Sequence, residues 1–375
     1  MQDLYSDIRP YHDADVSDVL RRLVQSDELL TVLLNYRLPL LPKWAESFFL
    51  PLVRFQLSYK LRKIHNIATF QGYLVNWITS LLDKTTSYIE VRGLENLQPE
   101  RAYVWISNHR DIAMDPLLVN YSLHQAGLRT SLVAIGDNLL EHPVLADLMR
   151  LNKSFIVKRG ISNKREKLRE LQRLSNYIRY EVGNHNSIWI AQQEGRAKDG
   201  HDCTDTAVLK MLALHGRERN ETFSESMQAL APVPLCIQYE WDPCDVLKAK
   251  ELVTLAETGH YHKQDGEDTR SILLGLTGQK GRVVVNIGKP LEVDELASAD
   301  LMAKAVDRQI QTMCKIFPVQ RTALALLQQL DATYQNYAGG ELDYTAHQEL
   351  KRRLTGLSAA EQKRLLLTYA MPLLN

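Results

Sequence analysis

The chain has 375 residues, with 45 Lys and Arg against 45 Asp and Glu, 45% apolar and 24% charged residues. That balance excludes a disordered chain, a collagen or a disulfide scaffold. Zero formal net charge excludes a nucleic-acid binder that works by global basicity, because displacing phosphate counterions takes an excess of Lys and Arg.

The length leaves room for two or three domain-sized units, or for one large α/β domain with helical additions. The N-terminus, MQDLYSDIRPYHDADVSD, is polar and acidic, unlike the basic start and apolar run of a signal peptide, which argues against export. Cys203, Cys236, Cys244 and Cys314 lie far apart with no C-x-x-C pair, so they read as reduced thiols rather than a zinc or redox motif.

No run of apolar residues is long enough to span a bilayer. Residues 44–57 are interrupted by Glu46, Pro51 and Arg54, and residues 66–82 are uncharged but hold Asn, Gln, Thr and Ser. Around the second segment, Ile64, Ile67, Phe70, Leu74, Trp77, Ile78, Leu81 and Leu82 recur every three or four residues, after Lys60, Arg62 and Lys63. Such a stripe fits a helix lying in a membrane interface or one packed on the rest of the protein.

From Tyr88 the pattern changes to short β-type runs: 88–91, 103–107, 131–135, 154–158, 187–191, 234–240 and 282–287. Most are apolar throughout, as strands covered on both faces are. Helical stretches separate them, among them 116–126, closed by Gly127, and 163–181. The expected fold is therefore α/β, a mixed and largely parallel sheet flanked by helices, with helical N- and C-terminal extensions. The expected regions are 1–83, a helical and membrane-interfacial candidate, 84–292, the α/β domain, and 293–375, a helical extension.

The segment SNHRDIAMDP (107–116) follows an apolar strand and precedes a helix, so His109 stands on a loop at a strand end, where α/β sheets build sites. Asp111 or Asp115 can hold the imidazole by Nδ1–H and leave Nε2 to accept a proton. Asp115, followed by Pro116, also reads as an N-cap. His109-Arg110-Asp111 imitates a protein-kinase catalytic loop, but Pro116 stands where that motif has Asn, and no D-F-G or Gly-rich loop accompanies it.

Three further segments follow: FIVKRG (155–160), IAQQEGRAKDG (190–200) and VPLCIQYE (233–240). In this order and spacing, over residues 88–292, they resemble the four blocks of the glycerolipid acyltransferases, the superfamily of glycerol-3-phosphate and 1-acylglycerol-3-phosphate acyltransferases. The family's first block, N-H-x4-D, carries over to Asn108 and His109. Its Asp meets one extra residue here: four intervening residues land on Met114, and the order of elements favours Asp115 over Asp111. The second block's arginine falls on Arg159. The third, usually E-G-T-R, is matched by Glu194, Gly195 and Arg196 without the threonine, and the fourth by Val233 and Pro234.

The resemblance implies catalysis by His109 and Asp115, and binding of the acceptor by Asn108, Arg159, Glu194, Gly195 and Arg196. Guanidinium groups suit a phosphate, since they make bidentate, charge-assisted bonds to it. It further implies an O-acyltransferase that moves a fatty acyl group from acyl-CoA or acyl-carrier protein to a glycerol-phosphate or lysophospholipid hydroxyl, with no cofactor besides that co-substrate. The implied place of work is the cytoplasmic face of a membrane, with peripheral attachment and no nucleic-acid partner. His201 with Cys203 and His260 with His262 complete no four-ligand metal set. Two rival expectations stand beside this one: a catalytically weak lipid-binding or adaptor protein of the same fold, and an acyl-thioester hydrolase.

Overall fold

Apolar runs of four to eight residues bounded by turn formers become strands, and longer stretches of helical period become helices that cover them. The computed structural model describes residues 4–38, 40–140 and 142–374. In chain order, α1 (Asp13–Gln25), α2 (Asp27–Arg37), α3 (Lys43–Leu61) and α4 (Ile67–Thr85) precede β1 (Thr86–Arg92) and β2 (Val104–Ser107). There follow α5 (Met114–Gln125), β3 (Leu132–Gly136), α6 (Pro143–Leu151), β4 (Ser154–Val157), α7 (Lys164–Gly183) and β5 (Ile188–Ala191). The short α8 (Thr206–Leu212) and α9 (Phe223–Gln228) lead to β6 (Pro232–Tyr239), and α10 (Asp245–Thr258) and α11 (Glu267–Thr277) lead to β7 (Gly281–Ile287). Last come α12 (Ala299–Met313), α13 (Pro318–Leu330), α14 (Tyr344–Leu354) and α15 (Ala359–Ala370). Each of the seven apolar runs forms a strand within about two residues of its expected limits, the usual uncertainty at element ends.

Two compact units are drawn from non-contiguous stretches, Met1–Thr79 with Leu132–Lys167 and Ser80–Ser131 with Leu168–Asn375. In the first, β3 and β4 pair in parallel, and Ile156 of β4 donates its N–H to the Ile8 carbonyl at 2.9 Å. Its core gathers Val16, Val19, Leu20 and Leu23 of α1 with Leu61, Ile64, Ile67, Phe70 and Leu151.

The stripe expected to face either a membrane or the protein is thus mostly buried: Ile64, Ile67, Phe70, Ile78, Leu81 and Leu82 are inside, Leu74 is half-buried and Trp77 is exposed. The exposed apolar face lies one helix earlier. On α3, Trp44, Phe48, Leu52, Phe55 and Tyr59 are 81%, 79%, 51%, 70% and 58% exposed, and steps of four, four, three and four residues put them on one side of the helix. No described helix is long and apolar enough to cross a membrane.

In the second unit the strand order is β1-β7-β6-β2-β5. All its pairs are parallel except β6 with β7, so the strand pattern is mixed and largely parallel, as the apolar runs imply. β2 lies between β5 and β6 and is buried along its whole length. The C-terminal helices share a core with the strands' covering layer: Phe317, Val319, Leu324 and Leu327 of the α13 region and Leu365 and Leu366 of α15 join Leu350, Ala249 of α10 and Val284 of β7. Under this layer Arg353 pairs with the buried Asp245 at 2.7 Å, and the Tyr369 hydroxyl donates to the same carboxylate at 2.8 Å.

Candidate active site

His109 is the second residue after the buried, parallel β2, so its backbone is anchored by the sheet while its side chain leaves the C-terminal strand ends, the side on which open α/β sheets bind ligands. The segment that follows the neighbouring β5 continues past β2 and clamps it. Gln192 N–H donates to the Ser107 carbonyl at 2.8 Å, and Ala197 N–H donates to the His109 carbonyl at 2.8 Å. The second bond ties the E-G-R loop directly to the histidine. The imidazole stands edge-on to Trp189 of β5, with ring centroids 5.4 Å apart.

Asp115 is the carboxylate that meets the ring. Its Oδ2 lies 2.8 Å from His109 Nδ1 and also accepts the N–H groups of Arg110 at 2.6 Å and Asp111 at 2.9 Å. Its Oδ1 accepts the Tyr239 hydroxyl at 2.6 Å. Asp115 is fully buried and the His109 side chain is 14% exposed, so the acid is sealed beneath a ring that solvent still reaches. Negative charge within bonding distance of Nδ1 favours the tautomer that carries the proton there.

Asp111 does other work. Its Oδ1 accepts the N–H groups of Ala113 and Met114, at 3.0 and 2.9 Å. The N-cap role expected of Asp115 is thereby corrected: α5 begins at Met114, Asp115 sits inside its first turn and accepts from residues before the helix, and Asp111 satisfies the N–H groups that open it. Burial, reinforced by the charge of Asp115, pushes the Asp111 carboxyl up to about 6.

Asn108, expected at the acceptor, has its amide engaged by neighbouring backbone. It is buried, its Oδ1 accepts Ile237 N–H at 2.8 Å and its Nδ2 donates to Ile237 O at 3.1 Å. Its amide staples the histidine loop to β6, and Nδ2 also faces Asp202 Oδ2 at 3.4 Å.

Gly195 has φ +79°, and a Cβ there would meet nothing within 4 Å. The requirement for glycine is therefore the left-handed backbone. Glu194 is exposed and Arg196 half-buried. Arg196 is near enough to Asp242 to act on it: burial would raise that carboxyl, but the charge and hydrogen bond of Lys248, with a smaller contribution from Arg196, hold it below the usual carboxylate range.

Arg159 belongs to the other compact unit, just past the end of β4. There its N–H faces Asp137, 3.2 Å from Oδ2, and its guanidinium covers Gly136, where a Cβ would come 2.9 Å from Nε.

Several supporting residues carry no motif signal. Arg110 pairs with Asp202 at 2.6 Å, and the buried Lys248 donates to the Arg110 carbonyl at 2.6 Å, so the backbone beside His109 is held from two directions. Tyr239 stands in the run QYE that ends the fourth segment, yet its partner is 124 residues away in sequence, and no spacing rule connects them. Burial, then the negative charge of Asp115, pushes its hydroxyl well above the usual range, which keeps Tyr239 a donor at every pH of interest.

Comparison with known proteins adds an independent line. Residues 88–213 match the family model described as Acyltransferase. Among solved structures, the chain is similar to the 1-acyl-sn-glycerophosphate (LPA) acyltransferase PlsC from Thermotoga maritima, with 15% identity and a TM-score of 0.40 over 76% of this chain and 94% of that one. No curated protein matches. The matched span opens in β1, contains the His109–Asp115 pair and the E-G-R loop, and closes just after α8. The stretch that matches the Acyltransferase model is thus the one that carries the first three sequence motifs, from the His109 loop to the E-G-R loop.

Proposed function

We propose that this protein is an acyltransferase that moves a fatty acyl group from an acyl thioester, acyl-CoA or acyl-carrier protein, to a hydroxyl of a glycerol-phosphate or lysophospholipid acceptor, with His109 as general base. The observation that carries the reading is the 2.8 Å contact between His109 Nδ1 and the buried Asp115 carboxylate, which leaves Nε2 as the nitrogen that takes a proton. The acceptor hydroxyl gives its proton to Nε2 as its oxygen attacks the thioester carbonyl. The tetrahedral intermediate then collapses, the C–S bond breaks, and the thiolate recovers that proton from the imidazolium. An alcohol ionises far less readily than a thiol, so the help is needed on the nucleophile. General-base assistance of this kind is worth about 10²- to 10⁴-fold.

Arg196, in the same unit as His109, would bind the acceptor's phosphate, a role the sequence resemblance also gives to Arg159; Gly195 would shape the loop, and Glu194 would orient Arg196 or accept a hydrogen bond from a glycerol hydroxyl. The reading asks for no metal or organic cofactor, so chelators should leave the rate unchanged. The exposed face of α3 supports a peripheral place on the cytoplasmic face of a membrane. Its aromatic residues suit the interfacial layer, and the exposed Lys43, Lys60, Arg62 and Lys63 suit anionic headgroups.

The test incubates purified protein with labelled acyl-CoA or acyl-carrier protein, glycerol 3-phosphate and a panel of lysophospholipids, with products identified by mass spectrometry. Transfer by the wild type and a loss of about 10²-fold or more in His109→Ala are expected. No transfer by the wild type, or unchanged transfer by His109→Ala, overturns the proposal, and free fatty acid released without an acceptor identifies a hydrolase. Arg159→Ala and Arg196→Ala should raise the acceptor's KM far more than the donor's. Flotation with vesicles containing anionic lipid should carry the wild type upward and leave Trp44→Ser/Phe48→Ser/Phe55→Ser behind.

A further inference from the structure

Cys236 and Cys314 are 78 residues apart in sequence, and their sulfurs are 3.7 Å apart in the fold. Cys236 lies in the middle of β6 and is fully buried, whereas Cys314 follows the last turn of α12 and is partly exposed. Cys314 also lines a cavity of about 240 Å³ together with Arg110, Gln238 and Tyr239. One sulfur is thus reachable by a small polar solute, and the other waits behind it.

The surroundings divide the two thiols chemically. The hydrogen bond from Cys236, aided by the Arg110 guanidinium, holds Cys314 below the usual thiol range against the opposing effect of burial. The same hydrogen bond, together with burial, pushes Cys236 well above that range. A partly exposed thiol that ionises more readily than usual, beside a resolving thiol, is the arrangement in which oxidation is selective.

We infer that Cys236 and Cys314 are a modification site, a dithiol that a peroxide closes to a disulfide. The Cys314 thiolate attacks one oxygen of hydrogen peroxide, breaks the O–O bond and becomes a sulfenic acid as hydroxide leaves. Cys236 then displaces the sulfenic hydroxyl, the S–S bond forms, and the Cys236 proton leaves with that hydroxyl as water. In sum, two thiols and one peroxide give one disulfide and two waters.

Closing the pair shortens 3.7 Å to about 2.05 Å, and the strain has a defined route. Cys236 lies between Leu235, whose carbonyl accepts Asn108 N–H, and Ile237, which holds the Asn108 side chain by both ends. On the other side, Lys315 exchanges two hydrogen bonds with Gln238 of the same strand. Drawing the sulfurs together therefore displaces β6 where it staples the residue before His109. This consequence for catalysis rests on the proposed role of His109, whereas the cross-link does not.

The experiment treats the full-length Cys203→Ser protein, which lacks the exposed thiol, with increasing hydrogen peroxide. Intact mass should fall by two hydrogens, and non-reducing peptide mapping should join the peptides containing residues 236 and 314. Cys244, a buried thiol pushed up to about 12 by burial, should stay reduced. Acyl transfer should fall by about ten- to a hundredfold, the cost of a small misplacement at a reacting centre, and return with dithiothreitol. Cys203→Ser/Cys314→Ser should show neither the cross-link nor the loss, and Cys203→Ser/Cys236→Ala provides a second background. Oxidation of Cys314 to sulfinic acid with no cross-link overturns the inference, and a complete cross-link with unchanged transfer overturns its coupling to the site. The mass measurement decides the dithiol even if the untreated protein transfers no acyl group, the result that would overturn the proposed function instead.

Discussion

Replacing Asp115 by Asn removes one negative charge from beneath His109 and can keep the hydrogen bonds. Three donors converge on Oδ2, namely His109 Nδ1, Arg110 N and Asp111 N, so the Asn oxygen takes that position. The amide NH₂ then faces Tyr239, whose hydroxyl can rotate to accept. What is lost is the attraction between the imidazolium formed during proton transfer and its buried counter-ion. For charges about 4 Å apart at an effective permittivity of about 20, that attraction is about 4 kcal/mol. At 1.36 kcal/mol per decade, and with the amide dipole retaining part of it, kcat/KM should fall by about 10²- to 10³-fold. Asp111→Asn is the matched control: it removes a charge from the same loop, but Asp111 touches backbone N–H groups rather than the ring, and kcat/KM should change by less than about threefold. The assay is initial-rate acyl transfer at pH 8 over a range of acceptor concentrations, with circular dichroism to verify folding. An Asp115→Asn enzyme that keeps a third of the wild-type rate, or an Asp111→Asn enzyme that loses as much as Asp115→Asn, refutes the assignment.

Tyr239→Phe leaves Asp115 Oδ1 without its hydroxyl donor in a fully buried site; a loss of about 1–3 kcal/mol in stability should accompany a lower kcat, with the donor's KM unchanged, and the downfield Nδ1–H proton resonance of His109 should move. The Asp111 carboxyl, lifted from 3.8 to about 6, binds its proton more tightly folded than unfolded. Stability therefore declines as pH rises through that interval and stays lower above it, so Asp111→Asn should stabilise the protein at pH 7.5 by up to about 3 kcal/mol, with the gain vanishing near pH 4 in urea melts. A Cβ at Gly275 would come 2.1 Å from Asp111 Oδ2, so Gly275→Ala should lower stability by about 1–3 kcal/mol, read as a lower urea midpoint. Arg353→Met leaves the buried Asp245 without its cation and should cost about 3–5 kcal/mol, visible as a drop in Tm.

The strands were legible because strands covered on both faces must be apolar throughout, and runs such as YVWIS and RVVVNI have no other comfortable fate. The motif residues were legible as types: a histidine after a strand, arginines suited to phosphate, a glycine in a tight loop. The identity of the orienting acid was not. Counting from His109 reaches Met114, and only the turn from β2 into α5 brings Asp115 back under the ring while Asp111 points to the helix start. Spacing along a chain carries no information on how a loop folds back.

The helical stripe at residues 64–82 teaches the same lesson in reverse. Its periodicity announced a helix with one apolar face, and the described fold packs the start of that face, Ile64, Ile67 and Phe70, against α1 and Leu151 of α6. The aromatic face of α3, broken in sequence by Glu46, Pro51 and Arg54, is the one left to solvent. Periodicity says that a face is apolar, never what covers it, because the covering residues come from elsewhere in the chain.

By itself, then, the sequence determined the α/β class, the strand positions and the chemical types gathered around His109, since these depend on local pattern and side-chain chemistry. Tertiary structure alone decided that Asp115 rather than Asp111 meets the imidazole, that Asn108 is a staple, that Tyr239 seats the acid, and that two distant cysteines touch. Each is a contact between side chains brought together by sheet order and loop path, and such distances are created only when the chain closes on itself.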